Sequence, residues 1–291
     1  MRATQLLPVL AAVMPSSLAA PTRPDFTNTT TLPTHFGLLV FPHFQALDVF
    51  GPMDVLNTLS MLYGDSTTMY LSILSKTLEP VSTAMKGMHG KGDFGESIVP
   101  TTTFKNYLAR GEKHDDDDKE CEDGAGGHAV AKRQHHMPAP NGTTETDKGD
   151  IEVLIVPGGG GTRQNMTEEI AFVKELYPKL KYIISVCTGS TILSRSGILD
   201  GRKATTNKRA WPWATSTGPN VTWVPTARWV EDGNIFTSSG ISAGIDVTYA
   251  WVSRVYGDEV AEFLSLSAEY DRETDANHDP YGKVWDVPGA T

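Results

Sequence analysis

Short apolar runs alternate along this chain with longer segments in which apolar residues recur every three or four positions. The first run, residues 36–41, is almost wholly apolar, which is typical of a strand covered on both faces of a sheet. The next segment has one apolar face and predicts a helix with Pro52 in its first turn, ending at Gly64. Three further runs predict strands at residues 69–74, 151–156 and 182–186. Strands that alternate with helices at this spacing predict an α/β domain, with a parallel sheet between helices.

The first 20 residues have the pattern of a secretory signal peptide. A basic residue, Arg2, precedes the apolar run 6–14, and a small-x-small cleavage pattern follows at residues 17–19. We expect cleavage after residue 19 or 20 and secretion of the mature chain. A buried N-terminal helix is the alternative, but three prolines in and around the run disfavour it. The run is also too short to cross a bilayer.

Composition after this segment predicts one domain with a long insertion. Residues 21–34 form a linker, residues 35–275 the α/β domain and residues 276–291 a C-terminal tail. Aliphatic residues almost vanish between 110 and 149, which predicts a solvated, disordered acidic insertion. Loose metal binding by its histidines is the alternative, but they have no recognisable ligand spacing. Glycosylation sequons occur at Asn28, Asn141, Asn165 and Asn220.

The size and charge of the chain limit the partners it can have. With 291 residues, 39% of them hydrophobic, it can bury one sizeable core. A formal net charge of −10 argues against nucleic acid or an anionic membrane surface as the partner and favours a small-molecule substrate. The two cysteines, Cys121 and Cys187, are too few for a disulfide framework. A bridge between them is disfavoured because Cys121 lies in the predicted insertion.

Cys187 lies where a predicted strand turns abruptly into a helix. Gly189 leaves room beside such a bend, as in a nucleophile elbow, so we expect the thiol at the C-terminal edge of the sheet. Exposed backbone N–H groups and the positive end of the following helix favour a thiolate, and we therefore expect a lowered thiol pKa. The alternative is a buried structural cysteine.

Two other segments end at the same edge of the sheet. The glycine run 158–161 follows a strand, and we predict that the N–H groups of Gly159 and Thr188 form an oxyanion hole, with a plain tight turn as the alternative. A phosphate loop is disfavoured, because neither G-x-G-x-x-G nor G-x-x-x-x-G-K-S/T occurs there. Asp48 follows the first strand, and beside Cys187 it would have a raised pKa that suits a proton donor or base. An ordinary helix cap is the alternative for Asp48.

These segments resemble the ThiJ/PfpI branch of the class I glutamine amidotransferase-like superfamily, and within it the isocyanide hydratases. The resemblance spans about residues 36–270, apart from the insertion. It is carried by Gly37–Pro42 with Leu47-Asp48 and Gly51-Pro52, by Val156–Gly159, by Ser185–Ser190, by Ala204–Thr206 and by Gly240–Asp246.

The resemblance implies a single domain with a flavodoxin-like, doubly wound parallel sheet and helices on both faces, usually as a homodimer. It implies Cys187 as the nucleophile, Asp48 as its acid and base, and Gly159 with Thr188 at the oxyanion position. It implies no metal and no organic cofactor. The implied activity is that of a hydro-lyase, which adds water to an isocyanide or a similar small electrophile through a covalent bond to Cys187.

One position departs from the family pattern. Asn207 stands where bacterial hydratases and many relatives carry a histidine, so a Cys-His-acid triad is not available and amidase or protease chemistry is disfavoured. His43 is predicted as a surface-loop residue, with a place in the pocket as the alternative. Trp211 and Trp213 suit either the wall of an apolar pocket or a dimer contact.

Two other functions remain open from the sequence. The first is a non-enzymatic or redox-sensing protein in which Cys187 is oxidised reversibly. The second is a ligand-binding domain like those fused to transcription regulators in this superfamily, which the predicted signal peptide and the lack of a C-terminal helix-turn-helix pattern disfavour.

Overall fold

A computed structural model describes residues 20–28, 31–85, 92–110 and 148–290. The described residues do not include the predicted signal peptide up to residue 19. They also do not include residues 111–147 of the predicted insertion, which contain Cys121. Among the residues described, no helix is both long and apolar enough to cross a membrane.

The chain folds around a seven-stranded sheet in the order β10-β11-β7-β6-β1-β2-β5. Its neighbouring strands are parallel, except for the antiparallel pair β10 and β11 at one edge. The sheet strands are β1 His35–Leu39, β2 Tyr70–Ser75, β5 Thr102–Thr103, β6 Val153–Val156, β7 Tyr182–Ser185, β10 Trp229–Asp232 and β11 Ile235–Ser238. Two small ribbons pair β3 Val81–Ser82 with β4 Ser97–Ile98, and β8 Lys203–Ala204 with β9 Thr222–Trp223. The predicted flavodoxin-like α/β class is confirmed.

Helices cover both faces of the sheet. Those that the structure describes are α1 Ala46–Leu62, α2 Phe104–Ala109, α3 Thr167–Leu176, α4 Ser190–Arg195, α5 Trp211–Ser216, α6 Ala243–Tyr256, α7 Asp258–Ser267 and α8 Tyr281–Val284. Helices α1, α6 and α7 pack against one another, and α3 packs against both α2 and α4. Trp251 of α6 is fully buried, with its ring centroid 5.8 Å from the rings of both Phe36 and Tyr182, which fixes α6 against strands β1 and β7. Burying such rings is a major apolar contribution to the core.

Helix α1 begins earlier than its sequence pattern predicts. Pro52 was expected in the first turn, but the helix starts at Ala46 and Pro52 lies inside it. A proline there cannot donate to the carbonyl four residues earlier, which belongs to Asp48. Asp48 is therefore a buried residue of the first helical turn and does not lie ahead of the helix.

The predicted linker and tail both pack on the domain. In the N-terminal segment, the ring of Phe26 stacks on Tyr63 at 4.8 Å and the Thr27 N–H donates to the Tyr256 carbonyl. In the C-terminal segment, residues 276–290, the carbonyl of Ala276 accepts from the Arg228 N–H at 2.7 Å. The folded unit therefore extends past residue 275.

A buried polar cluster anchors the C-terminal segment. The Lys208 ammonium lies 3.6 Å from the Asp279 carboxylate and donates to the Thr205 hydroxyl and the Ala227 carbonyl at 2.7 and 2.8 Å. Ser239 donates to the same carboxylate. Burial lowers the pKa of Lys208 to about 8, and the charge of Asp279 opposes this shift. The ion pair therefore holds a cation inside the fold.

Asp279→Asn is expected to lower the free energy of unfolding by roughly 3 kcal/mol at pH 7, because it leaves the Lys208 cation buried without its counter-charge. Urea denaturation measures the change. The control is Asp271→Asn, at an exposed carboxylate of the same region, which is expected to change stability by less than about 0.5 kcal/mol. Equal stabilities of the two variants would contradict the anchoring role of the pair.

Candidate active site

Cys187 lies at a strained turn between β7 and α4. Its φ is +57°, a left-handed conformation that few non-glycine residues adopt. A Cβ on Gly189 would lie 2.3 Å from the Val156 carbonyl oxygen, so only glycine fits beside the bend. The predicted turn, with its crowded glycine, is present in the structure.

Two hydroxyl groups behind the turn hold its backbone. The Thr206 hydroxyl donates to the Cys187 carbonyl at 3.2 Å. The Ser190 hydroxyl has one proton and lies within donating distance of both that carbonyl, at 3.1 Å, and the Thr206 hydroxyl, at 2.8 Å. Ser190 and Thr206 lie in motif segments, but no role was predicted for either of them. Their bonds offset part of the strain at Cys187.

Asp48 approaches the same point from α1. Its Oδ2 accepts the Gly158 N–H at 2.9 Å, while Oδ1 is buried and has no N–H or O–H donor among the described residues. Burial raises the pKa of Asp48 to about 7, although the Gly158 N–H and the Cys187 thiol hold it down. A carboxyl group with this pKa gives and takes protons near neutral pH.

The electrostatics of the Cys187 thiol differ from the sequence prediction. Burial, and then the negative charge of Asp48, raise the pKa of this thiol well above its ordinary value. The N–H and hydroxyl of Thr188 and the side chain of Asn207 favour the thiolate, but they do not outweigh the loss of solvent. The expectation of a lowered pKa was wrong because Cys187 is only 5% exposed and lies beside the Asp48 carboxylate.

The predicted oxyanion donors lie next to the thiol, but they already have partners. The Gly159 N–H donates to the Thr188 hydroxyl at 3.0 Å, and the Thr162 hydroxyl donates to the same oxygen at 3.1 Å. The Thr188 N–H interacts with the Cys187 sulfur. An anion would therefore compete with the Thr188 hydroxyl for Gly159, and the oxyanion role of the pair stays a prediction.

Asn207, where the family resemblance led us to expect a histidine, contacts the thiol. Its Oδ1 accepts the Ala210 N–H at 2.9 Å, which turns its amide nitrogen toward Cys187. The sequence identified this position only by the missing histidine and did not predict a contact. The amide donates to the sulfur without being able to act as a base.

Asn207→Asp is expected to slow iodoacetamide labelling of Cys187 at pH 8 by about tenfold, because a charge in place of the amide raises the thiol pKa by about one unit. The new carboxylate keeps an acceptor for the Ala210 N–H. Peptide mass mapping measures the labelling of Cys187 separately from Cys121. The control, Asn57→Asp at an exposed position of α1, is expected to leave the rate unchanged. An unaltered rate in Asn207→Asp would show that the amide does not act on the sulfur.

The other residues singled out in the sequence lie around the site without entering it. His43 has a positive φ of 64°, its ring interacts with the Ala84 carbonyl, and its own carbonyl accepts the Gly161 N–H at 3.2 Å. It thus supports the glycine run through its backbone. Trp211 is buried, with its ring 6.3 Å from that of Trp223, and is a core residue. In the described part of the chain, no group of three or more potential ligands is arranged to hold a metal ion.

A pocket of about 420 Å³ opens beside Asn207. Its volume falls within the usual range of small-molecule sites. Its other lining residues include Leu47, Arg209, Ile241, Tyr281 and Trp285. Cys187 and Asp48 do not line this pocket, but Asn207 does, and its side chain also contacts the thiol, so Asn207 links the pocket to the Cys187 site.

The fold and this site define a class of protein: a flavodoxin-like α/β domain with a cysteine at a strand-to-helix elbow and a buried carboxyl group beside it. Residues 37–254 match the model of the DJ-1/PfpI family, and the chain belongs to that family. The family resemblance predicted from the sequence motifs is thereby confirmed.

Comparison with individual proteins gives the same family. The chain is 29% identical to the isonitrile hydratase of Pseudomonas putida over 237 residues, which are 80% of this chain and 77% of that protein. A crystal structure of a ThiJ/PfpI family protein from Pseudomonas syringae matches with a TM-score of 0.55 and 25% identity, over 92% of this chain and 84% of that one. Drosophila melanogaster DJ-1beta matches with a TM-score of 0.53 and 15% identity, over 82% of this chain and 100% of that one, and this likeness concerns the fold alone.

Proposed function

We propose that this protein is a cysteine-dependent hydro-lyase that adds water to a small isocyanide. The observation that carries the proposal is the buried pair of Asp48 and Cys187. The carboxyl group contacts the thiol directly, and burial raises its pKa to about 7. The likeness to an isonitrile hydratase supports the same reaction. An isocyanide suits such a site because it needs a nucleophile and a proton at one carbon.

The first step generates the nucleophile inside the pair. The thiol proton passes to Asp48, so a thiolate lies beside a neutral carboxyl group, with the Thr188 N–H and the Asn207 amide on the sulfur. The sulfur attacks the terminal carbon of the isocyanide and an S–C bond forms. Asp48 returns the proton to that carbon, which gives a thioimidate on Cys187 and a carboxylate at Asp48.

Water then resolves the intermediate. Asp48 takes a proton from water as the oxygen adds to the thioimidate carbon, and it passes that proton to the nitrogen. The C–S bond breaks, the hydroxyl proton returns to Asp48, and the carbonyl of an N-substituted formamide forms. The thiolate is regenerated, and the sum is one isocyanide plus one water giving one formamide.

The test is to incubate the protein with cyclohexyl isocyanide in ¹⁸O-labelled water and to assay N-cyclohexylformamide by mass spectrometry. We expect formamide that carries ¹⁸O at its carbonyl, and a transient adduct on the Cys187 peptide. Heat-inactivated protein is the control for spontaneous hydration. No formamide above this control at millimolar isocyanide would contradict the proposal.

A redox-sensing role is the second candidate, and the donors around the sulfur favour it. The Thr188 N–H, its hydroxyl and the Asn207 amide would also hydrogen-bond a cysteine sulfinate. Dilute hydrogen peroxide would then add two oxygen atoms to Cys187 without unfolding the protein. Oxidation confined to unfolded protein would contradict this role.

We further propose that the protein is secreted, glycosylated and a homodimer. Asn165 and Asn220 support glycosylation, because both sequon asparagines are exposed. The predicted signal segment supports secretion, and the family resemblance supports the dimer. Expression in a secreting host, followed by glycosidase treatment and sedimentation, tests all three.

A further inference from the structure

The pocket beside Asn207 has an aromatic side that comes from the C-terminal segment. Tyr281 of α8 and Trp285 just after it line the pocket, and they are 47% and 49% exposed. Large aromatic side chains that are this exposed beside a cavity present apolar surface that a ligand can cover. Leu47 and Ile241 line the same cavity, so a flat apolar group would find contacts on more than one side.

The segment that carries these rings is fixed in place. Asp279, two residues before Tyr281, is fully buried against Lys208 and Ser239. Farther along, Val287 is 6% exposed and its N–H donates to the Gly282 carbonyl at 2.9 Å. The rings are therefore held on a packed backbone, which lowers the entropic cost of binding a ligand.

Charge at the pocket also restricts the ligand. The cations of Lys208 and Arg228 are paired with Asp279 and Asp246. Arg209 is exposed, and its guanidinium lies 5.6 Å from the Trp285 ring centroid. The rim is thus positive beside an aromatic ring, which disfavours a cationic ligand and suits a neutral aromatic one.

We propose that residues 276–290 form the specificity-determining wall of the substrate pocket, with Trp285 selecting isocyanides that carry an aromatic group over short alkyl isocyanides. This inference rests on the proposed function, because it names the substrate class of that site. Three observations support this inference: the segment is packed on the domain, its two rings are exposed in the pocket, and Asn207 both lines the pocket and contacts the thiol.

The experiment compares kcat/KM for phenyl isocyanide and methyl isocyanide in the wild type, in Trp285→Ala and in Trp285→Phe. We expect the wild type to prefer the phenyl substrate. Trp285→Ala is expected to lower kcat/KM about tenfold for phenyl isocyanide and less than about twofold for methyl isocyanide, because one aromatic contact is lost. Trp285→Phe is expected to restore most of the loss. Val284→Ala is the control, since this neighbour is 65% exposed and lies outside the pocket lining.

A preference for methyl isocyanide, or an equal loss for both substrates in Trp285→Ala, would overturn the inference.

A second measurement tests the aromatic pocket separately from the proposed reaction. Calorimetry is expected to show that N-phenylformamide binds the wild type at least about tenfold more tightly than N-methylformamide, and that Trp285→Ala removes the difference. If these affinities hold but no isocyanide is hydrated, the aromatic pocket stands and the proposed reaction fails. If the two formamides bind equally, the aromatic pocket is wrong.

Discussion

Formamide production is expected to fall by at least roughly 10⁴-fold when Cys187 is replaced by serine. A serine hydroxyl has a much higher pKa than a thiol, and Asp48, with a pKa of about 7, cannot deprotonate it. The covalent intermediate would then not form. Steady-state assay of formamide measures the loss, and mass spectrometry is expected to find no adduct at position 187.

The fold is expected to tolerate this change, because serine is nearly isosteric and the hydroxyls of Ser190 and Thr206 still hold the backbone carbonyl of residue 187. Circular dichroism and the urea midpoint should match the wild type. Cys121→Ser is the control and is expected to keep full activity. Residual turnover in Cys187→Ser above about 1% of the wild type would mean that the thiol is not the nucleophile.

Much of the fold could be predicted from local patterns. The apolar runs at 151–156 and 182–186 coincide with strands β6 and β7, because buried parallel strands have few polar positions. The position of the elbow also follows from local sequence, since a thiol after a strand needs a small residue such as Gly189 beside it. Such features depend on only a few neighbouring residues.

The features that the sequence did not predict depend on contacts between distant segments. The direction of the Cys187 pKa shift follows from the burial of the thiol and from the charge of Asp48, which is distant in sequence, and no local pattern contains either. The Asn207 contact requires a turn bonded to Ala210. The C-terminal segment is rich in polar residues, so it resembled a tail, yet the buried carboxylate of Asp279 anchors it.

Asp48→Asn is expected to lower kcat/KM for isocyanide hydration by roughly 10²-fold or more, which is the usual size of acid and base assistance. An amide still accepts the Gly158 N–H, but it cannot take up and release a proton.

Wild-type kcat/KM is expected to rise as the pH increases through about 7, because the reactive pair of Asp48 and Cys187 holds one proton above that value and two below it. The variant is expected to lose this rise. Asp54→Asn, at an exposed position of α1, is the control.

The same substitution is expected to stabilise the fold at alkaline pH. Burial raises the folded-state pKa of Asp48 from 3.8 to about 7, so the folded wild type binds this proton more tightly than the unfolded chain does. The contribution of Asp48 to wild-type stability therefore falls as the pH rises from about 4 to 7, by at most about 4 kcal/mol. Asp48→Asn has no charge to bury, so its advantage in urea denaturation should be near zero at pH 4 and reach a few kcal/mol at pH 8. If the difference between the two proteins does not change with pH, the pKa of Asp48 is the same in the folded and unfolded chains, and the acid and base role that rests on a pKa near 7 is wrong.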